Sequence, residues 1–399
     1  MKEIRPNPVP FRLLFYSFLV ISVLRHLIFA GAIPFWQASQ WVVSYEESGV
    51  IPRAFIGTIM RTIFTEISLS HIWLAAGCVF LLYLATLIFV FEKCLISEKY
   101  GLSTVVLLYT LMPVSAGYYL SQAIFARFDL VLFLLACFSV FFIRKDRVFP
   151  LVFVPLLSLL GVLIHESYLV LYFPLTLSLL AFRCFSLVGT GRLFRIMALV
   201  SSVLCVTIYL LFVGRGPAFS LPEYILLIQQ YAKDFTIESD MIRMQYYWTP
   251  VEHLSFAFRR LFRMGTLVHI LIALPLFLPL IFLTRKVLRF IEATLLPNEN
   301  ARHVQWLFFV PVIPLLMSLG GIDIWRWVAA SLNNCFLIWG FLLYRRDAGF
   351  QELLRKDRGL LYAMVYLAVV SSALGVMNET TPFLWVNKYE FFKAWFGAV

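Results

Sequence analysis

The stretch His71–Phe91 reads HIWLAAGCVFLLYLATLIFVF and decides the fold. It holds no Asp, Glu, Lys or Arg, and a helical crossing of a bilayer needs about 20 mostly apolar residues. Backbone inside hydrocarbon must satisfy its own hydrogen bonds, so the stretch reads as one helix. Ten further segments read the same way, several of them shortened or broken by Pro and Gly: residues 13–35, 101–119, 129–143, 148–164, 167–182, 196–213, 264–284, 305–319, 326–344 and 360–377. The expected fold class is all-α: a polytopic integral membrane protein with about 11 transmembrane helices plus interfacial or re-entrant helices in its outer loops.

Composition agrees. The 399 residues are 61% hydrophobic and 14% charged, where a soluble domain carries about 25% charged and about 45–50% apolar residues. An ordinary water-soluble fold is excluded. The 33 Lys and Arg exceed the 22 Asp and Glu, for a net charge of +11. In a soluble protein that excess would suggest nucleic acid; here it first reflects basic cytoplasmic loops, and no nucleic-acid partner is expected. The six cysteines, Cys78, Cys94, Cys137, Cys184, Cys205 and Cys335, show neither metal-type spacing nor a disulfide framework. With no internal repeat, low-complexity tract or soluble domain, residues 1–399 read as a single transmembrane domain.

Loop charge sets the orientation. With the N-terminus cytoplasmic, 20 Lys and Arg fall on the inner side and 12 on the outer, with Arg25 inside span one. Eleven spans then put the C-terminus outside. Leu13–Trp36 imitates a signal peptide, but Arg25 and His26 interrupt its apolar run, so it reads as an uncleaved first span. That Arg and His either pair with an acid such as Asp129 or Asp323 or line a polar cavity. Two outer segments are too long to be turns. Pro34–Ser70 mixes Trp36, Trp41 and Tyr45 with charges and should lie along the interface or re-enter; Gly214–Met264 carries Pro217, Pro222 and Pro250 around a polar middle. Both outer loops, 34–70 and 214–264, are expected to form part of a site.

On this topology four polar clusters share the outer level: Tyr45-Glu46-Glu47-Ser48-Gly49-Val50-Ile51-Pro52-Arg53, Arg127-Phe128-Asp129, His165-Glu166 and Asp323-Ile324-Trp325-Arg326-Trp327. An unpaired ionised side chain at membrane depth costs several kcal/mol, so such residues mark either structural ion pairs or a site. In the structural reading Arg53, Arg127 and Arg326 only neutralise Glu46 or Glu47, Asp129, Glu166 and Asp323. In the functional one, His165 beside Glu166 is a base near neutral pH. Glu46 and Glu47 sit before helix-breaking Gly49 and Pro52, which can expose one carboxylate, Glu46 by slight preference, to take a proton from a sugar hydroxyl. Arg259, Arg260 and Arg263 form an outer cation cluster, with Arg215 able to join, that suits either lipid headgroups or a diphosphate gripped by guanidinium forks. No Walker loop, GxSxG, HExxH or metal box occurs. No cofactor is expected, although the outer acids could hold a divalent metal.

These residues resemble the polytopic proteins of bacterial surface-polysaccharide clusters identified as O-antigen or capsule repeat-unit polymerases. The likeness lies in Glu47-x-Gly49-x-x-Pro52-Arg53 with Gly57, Arg127-x-Asp129, His165-Glu166 and Asp323-x-x-Arg326-Trp327. The resemblance implies an inverting glycosyltransferase at the outer face of the bacterial inner membrane. It would move a glycan from a polyprenyl diphosphate onto an acceptor sugar, with Glu46, Glu47, His165 and Glu166 catalytic and Arg53, Arg127, Asp129, Arg215, Arg259, Asp323 and Arg326 binding substrate. A chain-length regulator or a flippase would be its protein partner. Some such polymerases carry an Arg-x10-Gly loop pattern; here no arginine has a glycine eleven residues later. The alternative expectation is a transporter or flippase of a lipid-linked sugar, which usually needs polar groups near the midplane and repeated halves.

Overall fold

The computed structural model describes residues 8–28, 33–112, 115–119, 125–145, 147–186, 190–213, 217–261, 264–297, 299–317 and 324–374. These residues are helical throughout apart from turns and a single isolated bridge, Ile67 to Ala232. The chain divides into two compact units, residues 31–84 with 124–256, and residues 1–30 with 85–123 and 257–399.

In the first of these units, Asp129–Arg144 packs on Phe153–Ile164, which packs on Thr190–Phe212, and Phe173–Phe185 packs on both Asp129–Arg144 and Thr190–Phe212. Several hydroxyls in this apolar packet are turned back onto their own helices. Ser158 donates to the Val154 carbonyl at 2.9 Å, Thr176 to Tyr172 at 3.2 Å and Ser202 to Ala198 at 2.7 Å. Back-bonding of this kind satisfies a buried hydroxyl where no partner helix supplies one.

The same unit carries the first of the two long segments expected outside and the second as far as Phe256, both folded into short helices. Phe35–Ala38, Ser39–Trp41, Tyr45–Ser48 and Ala54–Ile63 make the first; Leu221–Gln229, Ser239–Tyr246 and Pro250–Leu261 make most of the second. The first is buried rather than splayed, with Gln37, Ser39, Trp41, Val42 and Val43 all enclosed. Main-chain hydrogen bonds join the two segments: Ile67 donates to Tyr231 at 2.7 Å, Lys233 to Ile67 at 3.0 Å, and the Glu238 N–H to the Ser39 hydroxyl at 2.9 Å. Gly57 permits this folding. A Cβ there would stand 1.9 Å from the Val43 carbonyl oxygen, so Ala54–Ile63 reaches the preceding loop only without a side chain at that point.

The other unit is held by ion pairs near its basic turns. Arg12 forks onto Glu92 at 2.7 and 3.1 Å, with the Tyr16 hydroxyl at 2.9 Å, and Lys286 meets Asp357 at 2.6 Å. Arg346 pairs with Glu299 and donates to the carbonyls of Leu342 and Thr294 at 2.8 and 3.2 Å. Asp347 opens the amphipathic helix Asp347–Lys356, which turns 111° from the helix before it, and accepts the Leu102 N–H at 2.6 Å.

Among the described residues two helices are long and apolar enough to cross a membrane, Leu69–Ile96 and Thr190–Phe212, or three if the bent pair Arg326–Leu343 and Asp347–Lys356 counts as one span. Both long helices present large apolar side chains outward, such as Leu74, Leu81 and Phe89 on one and Val200, Leu204 and Leu211 on the other. Such surface is compatible with a membrane protein and costly in water. Several other expected spans are shorter apolar helices, among them Tyr100–Leu111, Phe149–Ile164, Phe173–Phe185, Ala301–Leu316 and Arg358–Val369. Prolines account for part of the shortening: Pro174 opens Phe173–Phe185, and Pro311 interrupts the run between Ala301–Leu307 and Val312–Leu316.

Candidate functional site

Seven of the sequence-derived residues lie in the unit that holds the outer segments: Glu46, Glu47, Arg53, Arg127, Asp129, His165 and Glu166. They form three separate ion-pair arrangements. Arg53 stands at φ 63°, ψ 2°, directly before Ala54–Ile63, in the left-handed region that costs a non-glycine residue about 1 kcal/mol or more. That conformation aims its guanidinium across 113 residues of sequence at Glu166 in the turn after Phe153–Ile164. Nε lies 2.9 and 3.0 Å from the two carboxylate oxygens, and Nη2 completes the fork. The other terminal nitrogen, Nη1, bonds to no carboxylate, carbonyl or hydroxyl among the described residues. The Glu166 side chain remains 37% exposed, so the pair can be reached from outside. Partial burial raises its carboxyl, but the Arg53 charge and hydrogen bonds outweigh that and hold it below the usual carboxylate range.

Glu166 is therefore a weak proton acceptor. Its neighbour His165 is buried, and its Nδ1 accepts the Ser167 N–H at 3.1 Å. A ring nitrogen accepting that proton is not protonated, so the 3.3 Å approach of Nδ1 to Glu166 is a hydrogen bond only if the Ser167 bond is given up. The pair expected to act as a base is better suited to positioning Arg53.

Glu46 and Glu47 are separated by burial. Glu47 is 9% exposed and pairs with Arg61, itself 7% exposed, which also donates to the Ser44 hydroxyl at 2.6 Å and lies over the Tyr231 ring at 3.3 Å. Glu46 is 76% exposed and touches Arg61 at 3.2 Å. Arg61, assigned no role in the sequence reading, thus takes these acids in place of Arg53. Arg61 stands in the last turn of Ala54–Ile63, and its partners Glu46 and Glu47 lie 15 and 14 residues earlier, so no helical spacing suggests the pair. Arg127 lies 3.9 Å from Asp129 and 4.8 Å from the Trp36 ring, and Trp41 donates to the Ala126 carbonyl at 2.9 Å. Both charged groups are nearly enclosed.

The remaining expected residues are placed elsewhere or lie outside the description. Arg326 is buried at the start of Ile324–Leu343 in the other unit, 5.1 Å from the Trp327 ring. Arg259 is exposed on Pro250–Leu261, in the stretch assigned to that other unit. Arg215, Arg263 and Asp323, and the side chains of Arg25, His26 and Arg260, lie outside the described residues. No group of three or more His, Cys, Asp or Glu among the described residues could hold a metal.

Residues not singled out from sequence surround the Arg53–Glu166 pair. His253, exposed on Pro250–Leu261, feels the charges of both Arg53 and Glu166. Burial of its ring and the Arg53 charge lower its pKa, against the pull of Glu166 and Glu252, so it is neutral at pH 7. Tyr246 meets the Tyr224 ring edge to face at 6.4 Å and feels the charges of Arg53 and Glu166, and Tyr209 lies within electrostatic reach of Glu166 and Tyr45. The hydroxyls of Tyr45, Tyr209 and Tyr246 and the side-chain oxygen of Gln245 are all enclosed and have no aligned hydrogen-bond partner among the described residues. The hydroxyls of Tyr45 and Tyr209 lie near each other. By contrast Tyr224 bonds to the Ser48 hydroxyl at 2.6 Å. A buried polar atom without a partner costs about 1–3 kcal/mol, and nothing in the local helices requires these. The signal in sequence is faint: the tyrosines fall in three segments of different character.

No family model, curated protein or solved structure matches the chain.

Proposed function

We propose that this protein is a glycosyltransferase of surface-polysaccharide synthesis, acting on polyprenyl-diphosphate-linked glycans at the outer face of the bacterial inner membrane. In this reading the chain crosses the membrane about 11 times, with its N-terminus cytoplasmic, and works beside a chain-length regulator or a flippase. The observation that carries the proposal is the Arg53–Glu166 pair. It is assembled from two distant segments, strained at Arg53, half open to the surface and bordered by a neutral histidine.

The chemistry asked of it is a displacement at the anomeric carbon. The acceptor hydroxyl oxygen attacks, the bond to the diphosphate breaks, and the diphosphate leaves with the electron pair. Glu166 holds Arg53 so that its free Nη1 donors meet the developing charge on the phosphate oxygens. The acceptor's proton passes to His253, with Glu46, exposed at the same loop, as the other available base. Purified protein in liposomes, given the host's lipid-linked repeat units, should lengthen them. A failure to elongate any surface-glycan donor of the host removes the reading.

A transporter reading has one observation in its favour. Ser331, Asn333 and Asn334 are buried within the apolar helix Ile324–Leu343, the kind of placement a midplane path needs. Labelled lipid-linked sugar crossing proteoliposomes without being consumed would favour it.

A further inference from the structure

We infer that Tyr45, Tyr209 and Tyr246, with Gln245, form a saccharide subsite beside the Arg53–Glu166 pair. The inference rests on the transferase reading for its source of sugar, and adds which residues read that sugar and by what contacts.

Three hydroxyls and one amide oxygen, from the helices Tyr45–Ser48, Thr190–Phe212 and Ser239–Tyr246, are enclosed without an aligned hydrogen-bond partner among the described residues. Tyr209 and Tyr246 are 7% and 6% exposed. Elsewhere in the same unit the hydroxyls of Ser158, Thr176, Ser186 and Ser202 are all satisfied by backbone. Enclosed hydroxyls without a partner among the described residues also occur in this unit at Ser139 and Tyr168; those of Tyr45, Tyr209 and Tyr246 differ in interacting with one another and, through Tyr209 and Tyr246, with the Arg53–Glu166 pair. Tyr224, whose ring meets Tyr246 edge to face at 6.4 Å, spends its own hydroxyl on Ser48 and so serves as the wall behind the cluster.

Chemistry narrows the ligand. Arg53 and Glu166 largely neutralise each other, and the tyrosine hydroxyls and the Gln245 amide carry no charge, so the cluster beside the pair suits a neutral group. A phenol hydroxyl both donates and accepts, and the Gln245 oxygen accepts. Aromatic rings with polar tips fit a ligand that has apolar C–H faces and a rim of hydroxyls, which describes a pyranose. Burial pushes the Tyr45 hydroxyl up to about 12, so it stays protonated and able to donate at any working pH. Arg53 would then face the diphosphate while the tyrosines hold the attached or accepting sugar.

Replacing tyrosine by phenylalanine removes only the hydroxyl, which gives the test its discrimination. The probe is the free oligosaccharide repeat released by mild acid from the host's surface glycan. It is followed by saturation-transfer NMR on full-length protein in a detergent without a sugar headgroup, beside a polyprenyl diphosphate carrying no sugar. Wild type should bind both. The Tyr45→Phe, Tyr209→Phe, Tyr246→Phe triple variant should bind the oligosaccharide at least ten-fold more weakly, keep the diphosphate, and melt no lower than wild type, since its lost hydroxyls had no protein partner. Oligosaccharide binding unchanged in the triple variant, or absent from wild type, overturns the inference. In either case retained diphosphate binding leaves the transferase reading standing, and its loss counts against that reading separately. A triple variant that melts several degrees lower shows that the hydroxyls were structural and also overturns it.

Discussion

Arg346 and Arg53 each fork onto a glutamate, but their surroundings differ. Arg346 is 4% exposed and divides its donors among Glu299 and the carbonyls of Thr294 and Leu342, so that pair is closed on all sides. Arg53 is 20% exposed, bonds only to Glu166 among the described residues, and lies within electrostatic reach of an enclosed hydroxyl, that of Tyr246, with no partner among them. A saturated pair fastens helices together, whereas one with spare donors, backbone strain and unsatisfied neighbours has capacity left for a ligand. Arg61 with Glu47 lies between the two: both are enclosed, and Ser44 and Tyr231 adjoin the guanidinium, but its buried Nε has no partner among the described residues.

The contrast predicts opposite consequences for one substitution. Arg346→Ala leaves Glu299 buried without its cation, and removing one partner of a buried pair costs about 3–5 kcal/mol. Thermal unfolding in detergent should show a large loss of stability, with little protein reaching the membrane. Arg53→Ala should be recovered at near-normal level with no elongation activity, because Glu166 is open to water. If Arg53→Ala is the variant that fails to accumulate, the distinction between the two pairs is lost. Next in size is Gly57→Ala, whose added Cβ must displace Val43; overpacking of this sort costs about 1–3 kcal/mol. An unchanged melting temperature would mean that the first outer segment is not fixed against Ala54–Ile63.

The helical class and the apolar segments were legible from hydrophobic run length alone, because burial in lipid leaves a strong local signature. So were two polar neighbours in the chain: Arg127 near Asp129, and His165 next to Glu166. The pairing of Arg53 with Glu166 was not, since it depends on the left-handed turn at Arg53 and on how the outer segment folds back. Nor was the division of labour between Glu46 and Glu47. Adjacent residues of one short helix point different ways, and only packing decides which is enclosed. His253 and the three tyrosines carry no spacing signal; their significance comes from what surrounds them.

Glu166→Gln keeps the shape of the side chain and removes the charge that orients Arg53. Elongation should fall about 100-fold, the scale expected when a positioning group lets a catalytic one drift. Near-normal turnover would assign Glu166 to packing alone. The smallest effect concerns pH. His253 titrates below its ordinary 6.5 because burial and Arg53 disfavour its charge, so activity should fall as pH drops through that lowered value. The unfolded chain takes up this proton near 6.5 and the folded chain does not, so stability also declines slightly as pH falls below that point. His253→Gln should remove the acid limb, and a limb that persists unchanged would assign the titration to another group.

The central claim, that the Arg53–Glu166 pair acts on substrate, is tested most directly by exchanging its charges. The double variant Arg53→Glu with Glu166→Arg restores an ion pair but puts the anion where the diphosphate would meet a cation. Membranes holding equal amounts of wild type and double variant, supplied with the host's lipid-linked repeat units, should show chain elongation only with wild type. Recovery of elongation by the exchanged pair would mean that any salt bridge suffices there, and would contradict the account.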